Sequence, residues 1–160
     1  MRIKQSENVG KTKQLGLAAI ELTLVLPFLL LLVFATAEFG RMLYQYNALN
    51  HLSRDALRYV VHDVIRGDTQ VDSTALANIT PQGKNLLIYG QHSSSNEILP
   101  RLSDPNYTTV NFTITDDEYV TITTTYYWQP IFFSLMPSFV SNQTIDLAFP
   151  LVVKYSMRAL

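Results

Sequence analysis

Gly16-Leu17-Ala18-Ala19-Ile20-Glu21-Leu22-Thr23-Leu24-Val25-Leu26-Pro27, running on to Ala37 with Glu21 as its one charge, is the stretch whose reading decides this fold. Leu17 to Ala37 is 21 residues, about 31 Å of helix at 1.5 Å per residue and close to the hydrocarbon thickness of a bilayer. The spacing predicts one membrane-crossing helix. Glu21 needs a reason, because a charged side chain costs about 2.5–3.5 kcal/mol at mid-bilayer and such residues usually mark function. It lies only about 6 Å along the helix from Leu17, near the interface, where that cost falls but a cationic partner is still favoured. Pro27 lacks an N–H and its ring meets the carbonyl of Thr23. It therefore reads either as a kink one turn after Glu21 or as an ordinary tolerated membrane-helix proline.

Ahead of the run stand Arg2, Lys4, Lys11 and Lys13 against the single acid Glu7. Positive charge stays cytoplasmic, so the predicted orientation is single-pass, N-terminus in and C-terminal domain out. The chain has 160 residues and a formal charge of -1, and its leader holds four of the twelve bases. The remainder is mildly acidic, which argues against a nucleic-acid partner, since phosphate binding needs clustered Lys and Arg. Cysteine is absent, which removes disulfides, thiolate nucleophiles and Cys-based zinc sites.

Beyond Ala37 the helical pattern continues. Met42, Tyr46, Leu49, Leu52, Ala56 and Tyr59 recur at three- and four-residue spacing, with Arg41, Gln45, Asn50, Arg54, Asp55 and Arg58 largely elsewhere. One helix is expected from Leu17 to about Ile65, stopped at Gly67-Asp68. Glu38 and Arg41, at i, i+3 spacing, form a candidate membrane-proximal pair. Distally, the sequence predicts a short helix over 72–79, a turn at Pro81-Gln82-Gly83, a strand over 86–89 and an exposed loop over 90–105. Two alternating strands follow, Val110–Thr115 and Val120–Trp128, joined by a turn at Asp116-Asp117-Glu118. The Pro-bounded stretch 131–140 should not form a long helix, and a last strand over 144–156 carries Pro150 at an edge or bulge. The predicted fold class is α+β: a long N-terminal helix, transmembrane and then amphipathic, on a small antiparallel sheet. Its expected parts are a leader over 1–16, a span over 17–39, the amphipathic continuation over 40–66 and an extracytoplasmic domain over 67–160.

No catalytic arrangement stands out. His51, His62 and His92 are far apart and neither HExxH nor a nucleophile elbow occurs. Gly10-Lys11-Thr12 resembles the end of a phosphate loop, yet the earlier glycine would fall at Gln5. No enzyme activity, cofactor, metal or small-molecule substrate is expected. Asn-x-Thr triplets at Asn78, Asn106, Asn111 and Asn142 fit a threonine-rich composition better than glycosylation. Ala35-Thr36-Ala37 fits signal-peptide cleavage after Ala37, although the apolar run exceeds the usual length and contains Glu21. That leaves two alternatives: a secreted domain, or an uncleaved single-span envelope protein that binds a partner through its distal sheet.

Gly16-Leu17-Ala18-Ala19-Ile20-Glu21 resembles a type IV prepilin processing site, with a glycine before the scissile bond and glutamate fifth in the mature chain. Together with Glu38-Phe39-Gly40-Arg41, Asn47-Ala48-Leu49, Ser53 to Tyr59 and the ending Tyr155-Ser156-Met157-Arg158, the sequence resembles the TadE family of pseudopilins, whose leader the TadF subgroup shares. Leu22 stands where an aromatic often follows the glutamate. The resemblance implies a minor pilin or pseudopilin of a Flp/Tad-type pilus, serving adherence and biofilm formation, cut by a prepilin peptidase between Gly16 and Leu17. It implies Glu21 as the assembly glutamate. Implied partners are that peptidase, other pilins and pseudopilins, the inner-membrane assembly platform and the lipid bilayer.

Overall fold

The computed structural model describes residues 8–64, 73–91, 96–115, 119–132, 134–137 and 144–159. The leader before Asn8, the expected stop at Gly67-Asp68 and the turn Asp116-Asp117-Glu118 lie outside the described residues. The chain divides into two units, Met1–Gly40 and Arg41–Leu160.

The first unit is the N-terminal part of α1, a helix assigned from Asn8 to Val64 with Pro27 inside it. Leu and Ala dominate the run and lose little freedom in a helix. No side chain from Gly16 to Ala37 is buried, and Leu17 is 70% exposed. The hydroxyls of Thr23 and Thr36 donate to the carbonyls of Ile20 and Val33, each at 2.8 Å. Both polar groups are thus satisfied within the helix, as hydrocarbon surroundings demand.

In the second unit the rest of α1 buries Leu49, Leu52, Ala56, Leu57, Val60, Val61 and Val64. The stripe differs from the expected one. Tyr46 is exposed, whereas Gln45, expected on the polar face, is buried. The three- and four-residue spacing from Leu49 carries Gln45 to the core side one turn earlier.

Helix α2 spans Ser73–Tyr89, overturning the expected turn at Pro81–Gly83 and strand over 86–89. Leu76, Gly83 and Leu87 are its buried residues and share one helical face. Burial along that face outweighs the loss of the one backbone bond that Pro81 cannot donate. Gly90, at φ +68°, ends α2 by donating its N–H to the Leu86 carbonyl at 2.8 Å, a left-handed helix cap.

Strands β1 (Thr108–Thr115), β2 (Tyr119–Tyr127) and β5 (Pro150–Arg158) form an antiparallel sheet in the order β1-β2-β5. The short strands β3 (Leu135–Pro137) and β4 (Thr144–Asp146) pair separately. The expected final strand over 144–156 is therefore two strands. Pro150 opens the second, at the sheet edge, where a missing N–H breaks no ladder. Val120, Ile122, Thr124 and Tyr126 are buried on β2 as their alternation predicts. Thr121 on the other face is buried too, its hydroxyl 3.2 Å from Thr115 Oγ1 and donating to Ser156 Oγ at 3.1 Å. Hydroxyls from all three strands thus satisfy one another.

The core joins α1, α2 and the sheet, with Ser53 Oγ donating to Thr124 Oγ1 at 3.2 Å and Tyr155 OH to Asn50 Oδ1 at 3.0 Å. The expected exposed loop also contributes: Leu99 and Leu102 are buried. Glu97 holds that turn, accepting from the Leu102 N–H at 3.0 Å and from the Ser103 hydroxyl.

Candidate functional site

The candidate residues fall in two places, one in each unit. In the first, Gly16, Leu17, Glu21 and Pro27 all lie on α1 with exposed side chains or backbone. Glu21 stands among the exposed apolar side chains of Leu17, Ile20, Leu22 and Leu24. A Cβ added at Gly16 would meet no atom within 4 Å, so packing within the chain does not require glycine there. Alanine would favour the helix by about 1 kcal/mol. From Gly16 to Val64, α1 is long and apolar enough to cross a membrane, which fits a membrane anchor. An uncovered apolar surface of this extent is normally covered by lipid or by partner helices.

Glu38 is buried, only 4% exposed, while Arg41 is half-buried one turn later on α1. Arg41 belongs to the second unit and to a cavity there of about 230 Å³, whose walls include Gln45, Arg101, Tyr126, Gln129 and Ile131. Gln129 ties two guanidiniums together: its backbone carbonyl accepts from Arg41 Nη2, and its side-chain Oε1 accepts from Arg101 Nη1 at 2.9 Å. Arg41 also lies 5.2 Å from the Trp128 ring centroid, and Arg101 4.8 Å from that of Tyr107. These cation–π contacts fix both cations in place.

Tyr126 OH donates to the Pro100 carbonyl at 3.0 Å. Burial raises the phenol above its ordinary ionisation range, Arg41 and Arg101 oppose the shift, and Glu97 adds to it. Gln45 Oε1 and Trp128 Nε1 are buried without a hydrogen-bond partner among the described residues. Of the adjacent aromatics Tyr126, Tyr127 and Trp128, the first and last are core and Tyr127 is exposed. Sequence reasoning singled out Arg41 but missed the cavity, because Arg101 and Gln129 reach it from loops that carry no periodic signal.

The described fold and its exposed anchor define a class: a single long apolar helix that continues into a small α+β unit. Residues 16–58 match the family model described as TadE-like protein, the family that the quoted residues resemble. In general terms, that match points to pilus-system function and pilus-system partners. The chain finds no match among curated proteins and none among solved structures.

Proposed function

We propose that this chain is a pseudopilin or minor pilin acting in biogenesis of a Flp/Tad-type type IV pilus, in adherence and biofilm formation, with no reaction of its own. One observation carries the reading: an uncovered apolar helix that follows Gly16 directly and holds Glu21 at its fifth position, within the segment that matches TadE-like proteins. A prepilin peptidase cuts the Gly16–Leu17 bond at the cytoplasmic face, removing the basic leader and creating an α-amine on Leu17. That amine supplies the cation Glu21 lacks. In low dielectric, Glu21 of one subunit and the Leu17 amine of a neighbour neutralise each other and set the register of helices otherwise held by non-directional packing. Glu38 and Arg41 pair one turn apart just beyond the span.

Cleavage after Ala37 fits less well, because it would cut inside α1. Mass spectrometry of the mature N-terminus, with and without the peptidase, tests the reading. A peptidase-dependent start at Leu17 is expected; a retained Met1 would instead mark an uncleaved anchored binding protein, and a start at Glu38 a secreted domain.

A further inference from the structure

The sheet of the second unit ends on an unpaired edge at β5. Tyr127 of β2 donates its N–H to the Tyr107 carbonyl at 2.8 Å, so the odd-numbered residues of β2 turn their backbone groups toward β1 and the even-numbered ones toward β5. The β5 partners of Tyr126, Thr124, Ile122 and Val120 are Leu151, Val153, Tyr155 and Met157. Val152, Lys154 and Ser156 between them therefore point their N–H and C=O groups away from the sheet, where those groups meet no partner among the described residues. Such a row is a template for another strand.

Charge decides what kind of strand fits. Lys154 stands on the edge itself and is exposed. On the inner side of β5, Arg54 of α1 lies 4.6 Å from the Tyr155 ring centroid, and Arg58, one turn on, lines an open groove of about 600 Å³ with Met157. Asp55 is the one carboxylate among the described residues that wall this groove, and Arg54, Arg58 and Lys154 have no ion pair among the described residues. Two arginines at i, i+4 repel each other along a helix, a cost that an acidic partner reverses. Self-pairing is opposed: two β5 edges laid antiparallel about their middle bring one Lys154 against the other, and Pro150 withholds a donor. Val152, 52% exposed, offers an incoming strand a β-branched neighbour.

We propose that the β5 edge takes up an extended acidic segment of a partner protein as an added strand, its backbone bonded to Val152, Lys154 and Ser156 and its carboxylates drawn by Arg54, Arg58 and Lys154. All of these groups lie in the second unit, and the inference does not rest on processing at Gly16–Leu17. The edge supplies affinity through the main chain, and the cations on both sides of it select the sign of the partner's charge.

The full chain in detergent, titrated into the peptide fluorescein-Glu-Val-Glu-Thr-Glu-Val-Glu-NH2 and followed by fluorescence anisotropy, tests the assignment. Binding should be about tenfold tighter than that of the counterpart with Lys for each Glu. N-methylation of every peptide amide keeps the charge and removes the donors, so it should abolish binding. Val152→Pro removes an outward N–H and no bond of the β2 ladder, so it should weaken binding about tenfold while leaving the circular dichroism spectrum unchanged. Arg58→Gln, a change at an exposed side chain, should weaken it about threefold. Amide exchange followed by NMR reads the edge without any variant: Lys154 and Ser156 should exchange fast in the free chain and become protected when the acidic peptide binds. Equal binding of the Glu and Lys peptides would overturn the proposal. So would binding that survives full N-methylation, or binding without protection at Lys154 and Ser156, either of which would leave a surface for polyanions in general. Protection of the same amides that rises with chain concentration in the absence of peptide would overturn it in favour of a second copy of this chain.

Discussion

Gly83 of α2 approaches Val60 of α1 so closely that a Cβ at position 83 would come within 2.5 Å of Val60 Cγ2 and 3.2 Å of Phe112 Cζ. Val60 is fully buried and β-branched, so it has little rotamer freedom with which to retreat. Gly83→Ala gains about 1 kcal/mol in helix propensity against an overpacking cost of about 1–3 kcal/mol. A net loss of stability is expected, read as a lower thermal midpoint by circular dichroism. In the Val60→Ala background the same change should cost less or become stabilising, because the smaller side chain opens the space. Equal effects in both backgrounds would mean that this contact does not set the approach of the two helices.

The buried hydroxyl pair of Ser53 and Thr124, 3.2 Å apart, links α1 to the central strand. Thr124→Val keeps the shape but leaves Ser53 without that partner, at an expected cost of about 1–3 kcal/mol. Adding Ser53→Ala should recover part of the loss, since replacing both polar partners by apolar groups comes close to neutral. Chemical denaturation of the two single variants and the double variant measures the coupling. A double variant at least as unstable as the sum of the singles would count against the pair.

Alkaline pH should weaken the fold through Tyr126. Its phenol is raised above the unfolded value of 10.0, chiefly by burial, and the protonated form donates to the Pro100 carbonyl. With the folded value above the unfolded one, the contribution is complete below about pH 10 and is lost as pH rises through the folded value. Tyr126→Phe should therefore flatten the decline of stability above pH 10 and remove a late step from the tyrosinate absorbance titration. An unchanged titration would show that Tyr126 ionises like an exposed phenol.

Periodicity made the two ends of the architecture readable. The uninterrupted apolar run from Leu17 and the alternation of Val120, Ile122, Thr124 and Tyr126 carry over directly into an uncovered helix and a half-buried strand. Local signals failed where tertiary burial opposed them. Pro81 and Gly83 read as a turn, yet Leu76 and Leu87 on the same helical face draw the chain through both into one helix. Polar composition likewise made 90–105 an exposed loop, although Leu99 and Leu102 anchor it in the core. Gly16 and Glu21 were conspicuous in the sequence because a glycine directly precedes the apolar run and the run's one charge stands five positions on. The cavity was not, since Arg41, Gln45, Arg101 and Gln129 come together only through the fold.

Glu21 provides the most direct prediction for assembly. Its carboxylate stands among apolar side chains that are exposed among the described residues, so its removal should leave the fold of the second unit untouched. Glu21→Ala should therefore insert in the membrane, and processing at Gly16–Leu17 should proceed, because the basic leader and the glycine remain. Subunit register should suffer instead: without the carboxylate, the α-amine of a neighbouring Leu17 enters low dielectric unpaired, and an unpaired charge there is strongly disfavoured. Piliation, counted by electron microscopy or by shearing pili from cells, should fall sharply while the amount of processed subunit in the membrane stays constant. Pro27→Ala separates this effect from helix geometry. It restores a backbone donor to the Thr23 carbonyl, so if a loosened turn aids packing in the bundle, piliation falls here as well, with the Glu21 pairing intact. Normal piliation in Glu21→Ala would remove the charge-pairing role, and normal piliation in Pro27→Ala would leave that proline as one tolerated in a membrane span.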